Sequence, residues 1–144
     1  MSITIPAFDP LSIPIAGTNL IEASAGTGKT YGIAALFTRL VVLEQMPVES
    51  ILTVTFTKAA TAELKTRLRA RLDEVLQALE SVEDTDNLSD DLEAYCRDNH
   101  PGDVFLTGLL KQALAQESRA RLIVRLKAAI GQFDNAAIYT IHGF

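Results

Sequence analysis

The segment Ala23-Ser24-Ala25-Gly26-Thr27-Gly28-Lys29-Thr30 has the residue types and the spacing to hold phosphate. It fits A-x-x-x-x-G-K-T, a relaxed phosphate-loop pattern. Such a loop must close backbone N–H groups around phosphate oxygens, so it needs small residues. Gly26 and Gly28 permit the positive φ and the close approach that build an anion nest. A helix opening near Lys29 would aim its positive dipole end at the same point. Lys29 would reach the β- and γ-phosphates and the Thr30 hydroxyl would ligate Mg2+, so the implied cofactors are ATP and Mg2+. Ala23 stands where the stricter pattern has glycine, and alanine is small enough for the loop. The alternative is a glycine-rich turn between a strand and a helix with no ligand.

A second segment, Thr55-Phe56-Thr57-Lys58-Ala59-Ala60-Thr61-Ala62-Glu63-Leu64, combines an aromatic, hydroxyls and a lysine at the start of a helical pattern. Those groups could stack a base and hold a backbone phosphate. The plainer reading makes Thr57 a helix cap and buries Phe56 in the core. Farther along, Lys58, Lys65 and Arg69 fall on one side of an apolar stripe, with Arg67 and Arg71 nearer the other. Basic residues there most simply snorkel at a solvated boundary. The C-terminal run Tyr139-Thr140-Ile141-His142-Gly143-Phe144 adds a histidine after a strand-like stretch. His100, in a turn, is expected to be structural.

These groups need elements to position them. A proline-punctuated, extended lead-in covers 1–17, and a short strand is expected at Thr18–Glu22, before the loop. Helical spacing from Lys29 to about Glu44 places Ile33, Leu36, Phe37, Leu40 and Val41 on one apolar face, with Pro47 closing the helix. A strand is expected at 51–56. A long helix should follow from about Lys58 to Val82, with Ala60, Leu64, Leu68, Leu72, Val75, Leu79 and Val82 as its stripe. The acidic stretch 83–91 breaks it. Two or three helices fill 88–132 around a turn at 99–102, and a strand is expected at 136–141. This order is the syntax of an α/β fold with a parallel sheet, its ligands at the carboxyl ends of the strands.

Composition sets the outer limits. The chain has 144 residues, 48% of them hydrophobic and 22% charged, with a formal net charge of −5. That is compatible with one globular domain and argues against a wholly basic nucleic-acid coat. The lone Cys96 excludes an internal disulfide and a cysteine-based zinc cage, and is expected to be a small buried hydrophobe. No apolar run approaches the roughly 18 residues of a spanning helix, and the N-terminus lacks a basic export signature, so a cytoplasmic location and no membrane partner are expected.

Together, IEASAGTGKT, VTFTKAATAELKTRL and YTIHGF resemble the opening motifs of superfamily 1 DNA helicases of the UvrD type, and most closely the beta-subunit branch of exodeoxyribonuclease V. The resemblance runs from Leu11 to Phe144. It implies a P-loop NTPase (RecA-like) α/β fold, truncated and carrying a helical insertion. The chain would then be the N-terminal part of a first motor domain. Residues 1–17 are the lead-in, 18–82 the phosphate loop and second motif, 83–132 the helical insertion, and 136–144 the third strand and motif. The parent would be an ATP-driven 3′→5′ translocase and nuclease acting on single-stranded and broken double-stranded DNA, with gamma and alpha subunits as partners. By resemblance Ala23 to Thr30 bind ATP and Mg2+, while Thr55, Phe56, Thr57, Lys58, Thr140, His142 and Phe144 line the single-strand path.

Two departures accompany the likeness. No glutamine precedes the loop to read adenine, so purine selectivity is left unassigned, and with no acidic Walker B segment, second motor domain or nuclease domain the chain alone is expected to be inactive. A fragment of another UvrD- or AddA-type helicase is the nearest alternative, and two readings outside that family compete. One is a small P-loop kinase, with Arg119, Arg121 and Arg125 as a lid; the plainer role of those arginines is a solvated helix face. The other is a non-catalytic interaction module, against which the intact Gly28-Lys29-Thr30 speaks.

Overall fold

The computed structural model describes residues 9–17 and 29–140. The expected strand at Thr18–Glu22, residues 23–28 of the loop, and Ile141 to Phe144 lie outside them. The elements run α1 (Lys29–Val42), β1 (Leu52–Thr55), α2 (Lys58–Glu80), α3 (Leu88–Asn99), α4 (Val104–Gln116), α5 (Arg119–Gly131) and β2 (Ala137–Thr140). Short 3-10 turns at Val48–Ser50 and Phe133–Asn135 lead into the two strands. Across the described residues the structure is a helix-rich α/β fold with a small parallel sheet, and the expected order of elements holds.

Helix α2 is the spine. Thr57 caps it, its hydroxyl accepting the Ala60 N–H at 3.0 Å. Leu64, Leu68, Leu72, Val75 and Leu79 then recur every three or four residues and are all buried. Ala60, expected on the same stripe, is exposed. Against α2 pack α1, α5, α3 and both strands.

Helix α1 turns a different face inward from the one its large residues suggest. Ala34, Ala35, Phe37, Thr38, Val41 and Val42 are buried, whereas Ile33 is 39% exposed and Leu36 and Leu40 are half-buried. The small side chains at Ala34 and Ala35 suit a close approach between helices. Thr38 tolerates full burial because its hydroxyl donates to the Ala34 carbonyl at 2.7 Å. The helix stops at Val42 rather than near Glu44, and Gln45 takes a left-handed φ of 57° before Pro47.

The described sheet is two-stranded and parallel, with Leu52 opposite Ala137, Thr53 opposite Ile138, Val54 opposite Tyr139 and Thr55 opposite Thr140. Paired residues share a face. Ile138 is buried, while Leu52, Val54 and Tyr139, on the other face, are exposed. Within 83–132 there are three helices. The turn between α3 and α4 forms as expected, with Gly102 at φ +80° and Asp103 capping α4 through the Leu106 N–H at 3.0 Å. The lead-in is not extended over Asp9–Ser12. There the Asp9 carboxylate folds a turn by accepting the Leu11 N–H at 3.0 Å and the Ser12 hydroxyl at 2.9 Å.

Candidate functional site

Parallel strands with helical crossovers collect their loops at the carboxyl ends of the strands. Thr55 ends β1 and Thr140 ends β2, directly opposite each other. The Thr55 hydroxyl touches the Thr61 hydroxyl on α2 and donates to the Thr57 carbonyl at 3.2 Å, which folds the 55–61 corner tightly. Phe56 stands out of this corner at 83% exposed, so the core-packing reading of that residue fails. Its neighbours cannot be its cover, because Thr57 is committed to capping and Lys58 to the first turn of α2. Thr55, Phe56, Thr57, Lys58 and Thr140 therefore share one sheet edge. His142 and Phe144 lie outside the described residues.

Lys29 and Thr30 open α1, and no acidic side chain lies in its first turn. A helix start has N–H groups without intrahelical partners and a positive dipole end, and this first turn brings no acidic side chain of its own. Such a helix start suits an anionic ligand, and Lys29 and Thr30 are the residues of the phosphate-loop pattern that stand at it. The loop residues Ala23, Ser24, Ala25, Gly26, Thr27 and Gly28 lie outside the described residues.

Tyr31, next along α1, meets Arg71 of α2, whose guanidinium lies 5.5 Å from the ring centroid. Since Arg71 is well inside α2, the start of α1 stands beside the middle of that helix. At a rise of about 1.5 Å per residue, Arg71 is about 20 Å along α2 from Lys58. The two candidate segments are thus joined by the N-terminal half of α2.

Several residues that hold this arrangement were not singled out as such by their sequence pattern. Arg71 is not at a solvated boundary, as its side chain is only 12% exposed. It donates to Asp103 at 2.6 Å and to Glu74 at 2.9 Å, and also lies 5.3 Å from the Phe105 ring centroid. Burial alone would lower its pKa, but the hydrogen bonds and charges of Asp103 and Glu74 outweigh that and raise it, so it stays cationic. Position 71, flanked by Leu68 and Leu72 in the stripe, was the available clue.

Arg119 and Arg125 are likewise tied down rather than forming a solvated face or a lid. Arg119 donates to the Leu79 carbonyl at 2.7 Å. Arg125 donates to the Val41 and Val42 carbonyls at 2.7 and 2.8 Å, and to Glu117 at 2.6 Å. It satisfies carbonyls at the end of α1 that the helix leaves open. Arg121 remains exposed, as do Lys58, Lys65 and Arg69. Cys96 is buried as expected, and burial pushes its thiol pKa up. Among the described residues no helix is long and apolar enough to cross a membrane.

The sequence matches the UvrD/REP helicase N-terminal domain over residues 9–144. It is 41% identical, over its whole length, to the RecBCD enzyme subunit RecB of Haemophilus influenzae, of which it covers 11%. It is 40% identical to that of Escherichia coli, again over its whole length and 11% of the relative. To that of Mycolicibacterium smegmatis it is 37% identical, over 88% of this chain and 10% of the relative. The chain thus spans about one-tenth of the length of these relatives. With its α/β architecture, its helix opening at Lys29-Thr30 and its polar strand edge, it belongs to the UvrD/REP helicase N-terminal domain family.

Proposed function

We propose that this chain is the nucleotide-binding, strand-contacting part of the first motor domain of a RecB-type helicase–nuclease. Lys29 and Thr30 at an acid-free helix start, completing an A-x-x-x-x-G-K-T loop in a member of this helicase family, are the observation that carries the reading. In it, Ala23 to Thr30 wrap the triphosphate of ATP, Lys29 neutralises the β- and γ-phosphates, and Thr30 offers its hydroxyl to Mg2+. The domain divides as the sequence suggests: lead-in 1–17, loop and second motif 18–82, insertion 83–132, and third strand and motif 136–144.

The strand edge supplies the second half of the reading. Phe56 offers a face on which a base can stack, and Lys58 at the start of α2 offers a charge for backbone phosphate. Thr55, Thr57 and Thr140 border the same edge, and His142 and Phe144 would extend it. The parent would translocate 3′→5′ on single-stranded DNA and process broken duplex ends for recombinational repair, with gamma (RecC) and alpha (RecD) partner subunits. Turnover requires a carboxylate that holds Mg2+ and orders water, plus a cation on the γ-phosphate. We assign neither to these residues, and the chain alone is expected to bind without hydrolysing.

Thermal unfolding with and without MgATP tests the reading. Specific binding stabilises by RT ln(1 + [L]/Kd), about 2.7 kcal/mol at a hundredfold excess over Kd. A midpoint that rises with MgATP concentration supports it, and a midpoint that does not move removes it.

A further inference from the structure

Arg71 sits where three segments meet. Its guanidinium lies 5.5 Å from the Tyr31 ring centroid, in the first turn of α1, and is bonded to Asp103, the residue that caps α4. Glu74, on its own helix, accepts a further bond at 2.9 Å. Glu74, His100 and Asp103 bring potential ligand atoms within 4.8 Å of one another, an arrangement that could hold a metal ion. Arg71 already supplies the positive charge there, with direct bonds to both carboxylates. The acidic corner is therefore built around a guanidinium, and that guanidinium also lies over the Tyr31 ring of α1.

We propose that Arg71 is a positioning residue that couples the nucleotide site at the start of α1 to the α3–α4 corner through the chain Tyr31–Arg71–Asp103. The inference rests on the nucleotide reading above. Tyr31 follows Thr30 directly, so any change in the first turn of α1 on closing around a triphosphate moves the ring against which Arg71 lies. A shift of Arg71 strains its bonds to Glu74 on its own helix and to Asp103 on α4. Asp103 in turn holds the first turn of α4 through the Leu106 N–H at 3.0 Å. Coupling of this kind is reciprocal, so if nucleotide binding shifts the free energy of the corner, loosening the corner at Asp103 shifts nucleotide affinity.

Amide hydrogen exchange on the 144-residue chain with and without MgATP tests this, alongside two conservative variants. Asp103→Asn keeps the capping oxygen for Leu106 but removes the charge from Arg71, and it does not touch the nucleotide. Tyr31→Leu removes the ring that Arg71 covers and, at a half-exposed position, leaves the core intact. MgATP is expected to change exchange over residues 103–106 in the wild type, and both variants should abolish that change. Asp103→Asn should also shift the MgATP Kd by about fivefold or more. MgATP binding without any change at 103–106, or an unaltered Kd and exchange response in Asp103→Asn, would overturn the coupling and leave the nucleotide reading standing. Failure of the wild type to bind MgATP would instead defeat both readings at their shared root.

Discussion

Thr55 and Thr140 stand opposite each other at the carboxyl ends of the parallel strands β1 and β2. This pairing brings together segments far apart in sequence and fixes one end of the proposed strand path. Both residues lie on the α2 side of the sheet, shared with the buried Ile138, so the path begins where the sheet meets the start of α2.

Phe56 beside this pair is expected to contribute to binding and not to folding. At 83% exposed it buries too little surface to stabilise, so Phe56→Ala should change stability by less than about 0.5 kcal/mol. Titration with fluorescent oligo-dT should show a severalfold weaker affinity for this variant. Equal affinities would take Phe56 out of the strand path. Thr57→Ala, by contrast, removes the cap of α2 and should cost about 1 kcal/mol in urea denaturation.

Arg125 is expected to matter more for stability than its position on a basic helix would suggest. Arg125→Met leaves the Val41 and Val42 carbonyls and the nearly buried Glu117 carboxylate without their donor. A loss of about 2–4 kcal/mol follows for groups of this kind, read as a lower denaturation midpoint. A value near zero would mean that water replaces the guanidinium at no cost.

Gln45 holds a left-handed φ of 57° just after α1. That conformation costs a non-glycine residue about 1 kcal/mol or more. Gln45→Gly should therefore stabilise the chain by up to about 1 kcal/mol, offset in part by the greater freedom of glycine in the unfolded state. Destabilisation would show that the Gln45 side chain contributes more than its backbone strain removes.

Cys96 should make stability depend on alkaline pH. Burial favours the neutral thiol and raises its pKa in the folded chain, against a smaller opposing hydrogen bond from Thr107. A raised folded pKa means that the stabilisation is complete below the ordinary thiol value and is lost as pH rises through the folded one. Denaturation midpoints should therefore fall above about pH 8.5, and fall less in Cys96→Ala. Native Cys96 should also react far more slowly with a thiol reagent than the unfolded chain does.

Local pattern was enough to read the helices and strands at close to their observed limits. Leu64, Leu68, Leu72, Val75 and Leu79 announce α2 because a helix this central is buried along one continuous stripe. On α1 the pattern places Phe37 and Val41 inward as found, but close packing there turns Ala34 and Ala35 inward in place of Ile33 and leaves Leu36 and Leu40 half-buried. Phe56 shows the same limit from the other side, since its residue type suggested burial that its neighbours do not provide. The arginine network was hidden for a different reason. Arg71 and Asp103, or Arg125 and Val41, are partners only after the chain has folded, and nothing in their local spacing announces them. At the candidate site the loop reading rests on residue types alone, with residues 23–28 outside the described ones, whereas the link from Tyr31 to Arg71 exists only in the folded chain.

Calorimetric titration of the wild type and Lys29→Ala with MgATP tests the central claim most directly. Lys29 begins α1, where its charge would meet the β- and γ-phosphates. Saturable binding by the wild type, with binding lost or weakened at least tenfold in Lys29→Ala and the fold retained by circular dichroism, is the predicted result. Equal affinity in the two proteins, or no binding by the wild type, would contradict the account.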